Sequence, residues 1–324
     1  MKKIFSGIQP SGVIHLGNYL GTIKQWVNMQ NEYECIFSVV DLHAMTVFQE
    51  PTKFRKQILD TAKILLALGI DPKKSTLFVQ SDLPEHLELF WILNTITKVS
   101  ELELMTQYKD KTSQNKSTAA GLLNYPVLMA SDVLLYDTDE VPVGEDQIQH
   151  LELTRELARR FNSVYGNTFK EPKSVIGKIG ARIMGLDDPT KKMSKSASSV
   201  YNFIALTDTP DVVEEKIKRA VTDSGSEIEY DPIKKPGVSN LLTILSLMTN
   251  TEIKTLEKSF KGKNYGTLKT KTSQAIINFL SEFQKKLDKL SDDKVLNILE
   301  KGAISAKKIA SKKIDEVYKK VGLK

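Results

Sequence analysis

The sequence predicts an α/β protein in which a doubly wound parallel sheet is followed by an α-helical module. Short apolar segments alternate with longer segments of helical periodicity in the first half of the chain, which is typical of βαβ units. From Pro210 onward the periodicity is helical. A chain of 324 residues can form one large domain or two smaller ones, and it can bury a substantial core.

Composition indicates an ordinary globular protein, with 40% hydrophobic and 27% charged residues. No apolar run reaches the roughly 18 residues of a membrane-spanning helix, and the apolar stretch near Met1 is too short for a secretory signal. The single cysteine, Cys35, excludes a disulfide framework and a cysteine-rich metal site. We therefore expect a cytoplasmic protein that does not bind membranes.

Positive charge is concentrated in the last quarter of the chain. Residues 251–324 contain 18 Lys and no Arg against 9 Asp and Glu, whereas the rest of the chain is close to neutral. Such a segment fits a module that faces a polyanion such as nucleic acid. A solvated helical surface explains it equally well, and composition leaves both explanations open.

The first predicted unit is a strand, a tight turn and a helix. Residues 2–8 alternate as in a strand, residues 7–12 contain the turn formers Gly, Pro and Ser, and helical spacing begins at Leu16. This arrangement places backbone N–H groups and a helix N-terminus where they can bind a phosphate. Further strands are predicted at 34–40, 76–80 and 141–143, and further helices at 51–68, 84–99 and 125–136. One more helix is predicted after the Gly-Glu-Asp turn that follows the strand at 141–143, and it ends at Tyr165.

Ligands of doubly wound sheets bind at the carboxyl ends of the strands. His43 follows the second strand, and we expect it near the first turn. Residues 109–118 are polar without periodicity and are predicted as a loop, and residues 170–189 as an irregular segment. The helical module is predicted to contain helices at 212–221, 240–248, 274–290, 295–299 and 303–321, after a linker at 222–236.

One acidic residue stands in an otherwise apolar helix. Tyr125, Met129 and Asp132 are spaced so that they share one helical face. Asp132 is then either an exposed surface residue or a buried acceptor whose partner arrives with a ligand, since an unpaired buried carboxylate is unfavourable.

Two short motifs have the chemistry of a phosphate site. His15 and Asn18 stand at the start of the first helix, where they can hold phosphate and ribose oxygens and donate to the charge that develops on an α-phosphate. Lys192 and Lys195 flank Ser194 in a Gly- and Pro-rich segment, as expected of a mobile clamp on a triphosphate. Packing or capping by the histidine, and solvated charge for the lysines, are the alternatives. The P-loop pattern is absent.

Together, the HLGN and KMSKS motifs resemble those of class I aminoacyl-tRNA synthetases. Asn18 stands where the general motif of that class has a second histidine, a replacement common in its tryptophanyl branch. Across essentially the whole chain the sequence resembles the bacterial tryptophanyl enzymes, through the segments FSGIQPSG (5–12), HLGN (15–18), GIDP (69–72), QSDLPEH (80–86), ELELMTQYKDK (101–111), LMASDVLLY (128–136), VPVGEDQIQHLELTRELARRFN (141–162), ARIMGLDDPTKKMSKS (181–196) and KPGVSNLL (235–242).

The resemblance implies a Rossmann-type catalytic domain at residues 1–196, ending in the KMSKS loop, and a helical anticodon-binding domain at 197–324 whose last helix can pack back on the first. It implies a homodimer and a two-step reaction, in which L-tryptophan and ATP with Mg²⁺ give tryptophanyl-adenylate and pyrophosphate, and the aminoacyl group then passes to tRNA(Trp) with release of AMP. No side chain is expected as a metal ligand, since the phosphates of ATP mainly hold Mg²⁺.

The site residues implied by the resemblance fall into three groups. The catalytic residues are His15, Lys111, Lys192 and Lys195. The ATP-binding residues are Gln9, Pro10, Ser11, Gly17, Asn18, Gly144, Glu145, Asp146, Ile183, Lys192, Met193, Ser194, Lys195 and Ser196. The tryptophan-binding residues are Asp132, Phe5, Gly7, His43, Tyr125, Met129, Val141, Val143 and Gln147.

Three other functions are weighed against tryptophan activation. The related tyrosyl enzymes share the fold, but Asp132 and the amino-acid sequence of the KMSKS motif argue against them. A catalytically idle paralogue that binds tRNA or an aminoacyl-adenylate has no need for the clustered cations. A small-molecule nucleotidyltransferase leaves the basic helical module unexplained.

Overall fold

The computed structural model describes residues 1–114, 119–144, 147–175, 182–195 and 197–324, and of residues 110, 111, 113 and 114 it describes the backbone alone. Within these residues one sheet is formed by β1 (Lys3–Ile8), β2 (Glu34–Val39), β3 (Ser75–Val79), β4 (Glu140–Pro142) and β5 (Lys173–Val175). Neighbouring strands pair in parallel in the order β3-β2-β1-β4-β5. The order changes direction at β1, as in a doubly wound fold. The predicted fold class is confirmed.

Helices fill most of the remaining described chain. In chain order they are α1 (Leu16–Asn18), α2 (Lys24–Met29), α3 (Asp41–Ala44), α4 (Pro51–Leu68), α5 (Glu85–Thr95), α6 (Val99–Glu103), α7 (Thr106–Gln114), α8 (Ala120–Leu134), α9 (Ile148–Tyr165), α10 (Pro210–Arg219), α11 (Pro236–Thr249), α12 (Ile253–Ser259), α13 (Tyr265–Leu287) and α14 (Asp292–Val321). A π-helical turn, Tyr19–Ile23, joins α1 to α2, and a 3₁₀ turn, Gln80–Asp82, follows β3. None of these helices has both the length and the apolar composition needed to cross a bilayer.

By its contacts the chain divides into two compact units. Unit 1 contains Met1–Ser11, Asn28–Gly177 and Ser291–Lys324, and includes the whole sheet. Unit 2 contains Gly12–Val27 and Lys178–Leu290. The functional boundary after residue 196 stays a prediction, because compactness does not tell which residues serve which substrate.

The core of unit 1 is built on the sheet. Ile4, Phe37 and Phe78 on its three neighbouring long strands are completely buried, as expected for parallel strands covered on both faces. Helices α5, α8, α9 and α14 add their apolar residues to the cluster that contains Phe78. Helix α4 begins at Pro51 and ends before Gly69, as predicted.

Two segments predicted as irregular are regular in part. Residues 109–114 belong to α7, so the loop predicted at 109–118 is wrong for its first part, while 115–118 lie outside the described residues. This stretch lacks Gly and Pro, and a polar helix without an apolar stripe has no periodicity to detect. Within 170–189, Lys173–Val175 forms β5 against β4, a strand too short for alternation to reveal.

Several helical predictions require correction. Helices α8 and α13 begin five and nine residues earlier than predicted. The helix predicted at 84–99 ends at Thr95, and α6 begins at Val99. Helix α12 was not predicted. The two helices predicted at 295–299 and 303–321 are one, α14, which continues through Gly302. There the glycine permits close packing, because a Cβ at Gly302 would lie 1.8 Å from the carbonyl oxygen of Leu77 in β3.

Unit 2 packs α13 against α10 and α11. The segment after the first turn joins this unit through contacts that include two of its side chains. The Tyr19 ring stacks on Phe279 with centroids 4.4 Å apart, and the Lys24 ammonium donates to the carbonyl of Leu247 and to Asn250 Oδ1 at the end of α11. A lysine at the carboxyl end of a helix satisfies its last carbonyls.

We predict that Gly302→Ala lowers the free energy of unfolding by about 1–3 kcal/mol or more, because α14 must move away from β3 to admit the methyl group. The matched control is Gly121→Ala in α8, whose added Cβ meets no atom within 4 Å. Thermal unfolding followed by circular dichroism measures both. Equal midpoints for the two variants would contradict the close-packing explanation.

Candidate active site

Asp132 of α8 is the acceptor at the centre of a buried hydrogen-bond network in unit 1. Its Oδ1 lies 2.7 Å from Gln80 Nε2 and 2.7 Å from His86 Nδ1. Its Oδ2 lies 2.8 Å from His43 Nε2. The three donors stand after the carboxyl ends of β2 and β3, where the topology of a parallel sheet gathers polar side chains.

The network keeps Asp132 ionised. Burial opposes the charge, but the hydrogen bonds from His43 and His86 outweigh it and lower the pKa of Asp132 to about 2. Since Asp132 is only 2% exposed, the surface alternative is wrong. The carboxylate has partners without any ligand, because three protein donors bond to it, and a further partner supplied by a ligand stays a prediction.

Gln80 and His86 were not among the predicted site residues. Both are completely buried. A signal for them was present in the sequence, because the segment 80–86 directly follows a predicted strand, where the rule on carboxyl ends already selected His43. Which polar residues of that segment point inward depends on the 3₁₀ turn Gln80–Asp82, which periodicity does not reveal.

His43, Tyr125 and Gln147, which are predicted to bind tryptophan, belong to a second chain of side-chain contacts. The His43 ring lies edge-on to Tyr125, with centroids 6.3 Å apart. Tyr125 Oη lies 2.9 Å from His150 Nε2, and His150 Nδ1 lies 2.8 Å from Gln147 Oε1. His150 is buried and was not predicted. The structure thus connects Asp132, His43, Tyr125 and Gln147 within unit 1.

The apolar residues predicted for tryptophan lie in or beside the same core. Phe5 and Val141 are buried members of it, and Val143 packs against it. Gly7 lies in β1 at a point where a Cβ would be 2.6 Å from Val40 Cγ1, and Met129 is half-buried one turn before Asp132 in α8.

A second cluster, in unit 2, joins the HLGN turn to the KMSKS segment. A Cβ added to Gly17 would lie 3.0 Å from His15 Nδ1 and 3.3 Å from Met193 Sδ. Gly12 has a φ of +81°, and a Cβ there would lie 2.4 Å from Lys195 Nζ. Glycine therefore suits both the left-handed backbone and the close approach of the ammonium.

Two asparagines that were not predicted support the KMSKS segment. Asn202 Oδ1 accepts from the backbone N–H of Ser194 at 2.9 Å, and its amide donates to Asp187. Asn240 of α11 pairs with both backbone groups of Met184 at 2.9 Å. The backbone N–H of Met193 in turn donates to the carbonyl of Ile183, also at 2.9 Å. Both asparagines are buried, but single polar residues in loops and helices show no pattern that predicts such a role.

The cluster carries positive charge around a neutral imidazole. Burial first, and then the charges of Lys195 and Lys192, lower the pKa of His15 to about 4. His15 Nδ1 is buried and has no hydrogen-bond partner among the described residues. Neither Lys192 nor Lys195 forms an ion pair with a described residue. Within the helix start, the backbone N–H of His15 donates to Asn18 Oδ1 at 3.0 Å.

Other predicted ATP-binding residues are distributed over both units. Gln9, Pro10, Ser11 and Gly144 belong to unit 1, of which Pro10 is buried and Gln9 and Gly144 are exposed. Glu145, Asp146 and Ser196 lie outside the described residues, as does the side chain of Lys111. The roles of all these residues stay predictions.

The family model for tRNA synthetases class I (W and Y) matches residues 1–281. The chain belongs to this family. Among its relatives are the tryptophan–tRNA ligases of Caldanaerobacter subterraneus subsp. tengcongensis, 52% identical over 323 residues that cover 100% of this chain and 99% of that one, and of Oceanobacillus iheyensis, 51% identical over 324 residues with the same coverage.

Solved structures of the same family resemble the chain over its full length. Tryptophanyl-tRNA synthetase from Mycoplasma pneumoniae has a TM-score of 0.94 at 39% identity, with 100% of this chain and 98% of that one covered. The enzyme from Campylobacter jejuni, complexed with ADP and tryptophan, has a TM-score of 0.84 at 36% identity, with 99% of each chain covered. The predicted resemblance to class I synthetases of the tryptophanyl branch is confirmed.

For this class I synthetase we predict that Lys195→Ala raises the pKa of His15 above about 4 but leaves it below 6.5, because burial, the larger cause, remains. The folded-state pKa lies below the unfolded value, so the unfolded chain gains its proton first and stability falls as pH drops from 6.5 to about 4. In the variant, the free energy of unfolding should therefore fall over a narrower pH range, which begins at 6.5 and ends above about 4.

An NMR titration of the histidine ring measures this pKa. Lys191→Ala is the matched control, since Lys191 is exposed and pairs with Asp188. An equal shift of the His15 pKa in both variants, or none in Lys195→Ala, would contradict the electrostatic coupling.

Proposed function

We propose that this chain is a tryptophan–tRNA ligase. It activates L-tryptophan with ATP to tryptophanyl-adenylate and pyrophosphate, and then transfers the tryptophanyl group to tRNA(Trp) with release of AMP. The observation that carries the choice of tryptophan is the identity of 52% over the entire chain with a ligase of that name. The Campylobacter jejuni enzyme, complexed with ADP and tryptophan, supports binding of the same kinds of ligand here.

The Asp132 network gives this substrate a physical basis. The indole ring of tryptophan has one polar group, an N–H that donates but does not accept. A buried, ionised carboxylate is its natural partner, and Asp132 is held in that state by three donors. Phe5, Met129, Val141 and Val143 offer the apolar and polarisable surface that an indole ring needs.

In the first step the tryptophan carboxylate attacks the α-phosphorus of ATP, and the bond to pyrophosphate breaks. We assign the stabilisation of the developing negative charge to His15, Lys192 and Lys195. His15 Nδ1 and the two ammonium groups have no hydrogen-bond or carboxylate partner, respectively, among the described residues, which supports this assignment, since unpaired polar groups and cations are what a phosphate recruits. Lys111 is proposed as a further positive charge.

ATP reacts as its magnesium complex, and we propose that phosphate oxygens hold the ion mainly. His15, Lys192 and Lys195 offer nitrogen donors and cations rather than the oxygen ligands that Mg²⁺ prefers.

In the second step a terminal hydroxyl of tRNA attacks the adenylate and AMP leaves. The 18 lysines of residues 251–324 support contact with tRNA through its phosphates. Because a tRNA ligase works where translation occurs, we propose the cytoplasm as its location.

The test is amino-acid-dependent exchange between ATP and pyrophosphate, run with each natural amino acid. We predict exchange with tryptophan alone, and a loss of kcat/KM for tryptophan of about 100-fold in Asp132→Asn with KM for ATP nearly unchanged. The control is Asp60→Asn, an exposed carboxylate of α4. Preferred exchange with tyrosine would favour a tyrosyl enzyme, and none with any amino acid, in folded protein, an idle paralogue.

We further propose that the ligase is a homodimer that associates through α5 and α6. Leu87 and Trp91 share one face of α5, Val99 is the first residue of α6 and Leu104 follows its last, and all four have 46–65% of their surface exposed. Exposed large apolar residues on neighbouring elements are a feature of protein interfaces. A second copy is the partner that the homodimer of the resembling family implies.

We predict that the wild-type protein sediments at twice its chain mass of 36.4 kDa and that Trp91→Glu sediments as a monomer, because a charge would be buried without a partner. Val164→Glu is the matched control, since Val164 is 64% exposed and Trp91 65%. Analytical ultracentrifugation measures both. A monomeric wild type would contradict the dimer, and a dimeric Trp91→Glu would contradict this interface.

A further inference from the structure

The two oxygens of Asp132 are not equivalent. A carboxylate oxygen accepts about two hydrogen bonds. Oδ1 already accepts two, from Gln80 and His86. Oδ2 accepts one, from His43, and has no second donor among the described residues. One acceptor position therefore remains on this buried carboxylate, and it belongs to Oδ2.

On the Oδ1 side of the carboxylate, both ring nitrogens of His86 lie within hydrogen-bond distance of a side chain. His86 Nδ1 faces Asp132, and His86 Nε2 lies 2.8 Å from Tyr136 Oη. A carboxylate can only accept, so Nδ1 carries the proton. In the neutral ring Nε2 is then the acceptor, and the Tyr136 hydroxyl donates to it. Burial raises the pKa of Tyr136 well above its ordinary value, so the hydroxyl keeps this proton.

The surroundings hold this arrangement in one orientation. His86, Tyr136 and Asp132 are all buried. The hydroxyl of Ser131, next to Asp132 in the chain, donates to the backbone carbonyl of His86 at 2.6 Å, which joins the backbone at His86 to α8. The Tyr136 ring stacks on Phe5, with centroids 5.5 Å apart and planes 7° from parallel.

On the opposite side of the carboxylate, His43 contacts Oδ2 and lies edge-on to Tyr125. Oδ2 thus faces residues proposed to bind tryptophan, whereas Oδ1 faces His86 and Tyr136 in the core. A different rotation of the carboxylate would break the two bonds to Oδ1 and leave buried donors unpaired, which is costly.

We propose that His86, oriented by Tyr136, is a positioning residue that occupies Oδ1 and so reserves Oδ2 for the indole N–H of the substrate. This inference rests on the proposed function. Hydrogen bonds in series from Tyr136 through His86 polarise one another and strengthen the hold on Oδ1. The alternative is a core histidine that serves stability alone, and it makes no prediction about substrate selectivity.

The test compares tryptophan with benzothienylalanine, in which sulphur replaces the indole N–H, in the exchange assay. We expect His86→Leu to lower the ratio of kcat/KM for tryptophan to kcat/KM for the analogue by about tenfold or more, because Asp132 loses one of the two hydrogen bonds to Oδ1. His86→Asn should recover most of the ratio, since its amide can donate from the position of Nδ1. Tyr136→Phe should lower the ratio by a smaller factor, and KM for ATP should stay constant throughout.

Phe161→Leu is the control, because it removes ring volume from the same core without touching a polar group. A selectivity ratio unchanged in His86→Leu, or lowered equally in Phe161→Leu, would overturn the proposal. Failure of the wild type to exchange with tryptophan would instead contradict the proposed function.

A measurement on the wild type keeps the proposal testable if the variants do not fold. Nitrogen NMR of the histidine rings reports which nitrogen is protonated. We expect a proton on His86 Nδ1, and a ring protonated on Nε2 alone would overturn the proposal whether or not the enzyme is active.

Discussion

The requirement that a buried carboxylate be hydrogen-bonded determines how unit 1 is arranged around Asp132. Removing a charge from water is costly unless donors replace the water. Here His43, Gln80 and His86 supply three donors, and each stands within seven residues after the end of β2 or β3. The parallel pairing of these strands brings their carboxyl ends to one edge of the sheet. The sheet topology therefore brings together the donors that the buried carboxylate requires.

Unit 2 follows the opposite electrostatic principle. Its cluster contains a neutral imidazole with an unused nitrogen and two ammonium groups without carboxylate partners among the described residues. Structural lysines elsewhere are paired: Lys313 in unit 1, for example, lies 2.8 Å from Asp137 and donates to the carbonyl of Thr168. Unpaired cations that lower the pKa of a neighbouring histidine are better explained by an anionic ligand than by stability.

Sequence patterns predicted the parts of the fold that depend on hydrophobic periodicity and on the Pro and Gly residues that bound helices and strands. Helix α4 is bounded by Pro51 and Gly69 as predicted, and β1 to β4 lie within about a residue of their predicted ranges. What escaped prediction depends on tertiary contacts. The three residues of β5 are a strand because β4 pairs with them, and Gly302 continues a helix because β3 approaches it. Neither fact is written in a local pattern.

The same distinction applies to the site. Asp132 could be identified because an acid in an apolar helix is conspicuous, and His15 and Lys195 because they belong to motifs of a recognised family. Gln80, His86 and Asn202 are ordinary polar residues in sequence, and only the fold shows that each is buried and hydrogen-bonded through its side chain.

This difference bears on how selectivity arises. Asp132 alone offers four acceptor positions to any donor that enters the site. Its partners among the described residues occupy three of them, so under our proposal the indole N–H meets a single acceptor position on Oδ2. A rigid acceptor of this kind is unpaired when an analogue lacks the N–H, and an unpaired buried charge is costly. The residues that set the penalty are therefore those that hold the carboxylate, and they need not touch the substrate.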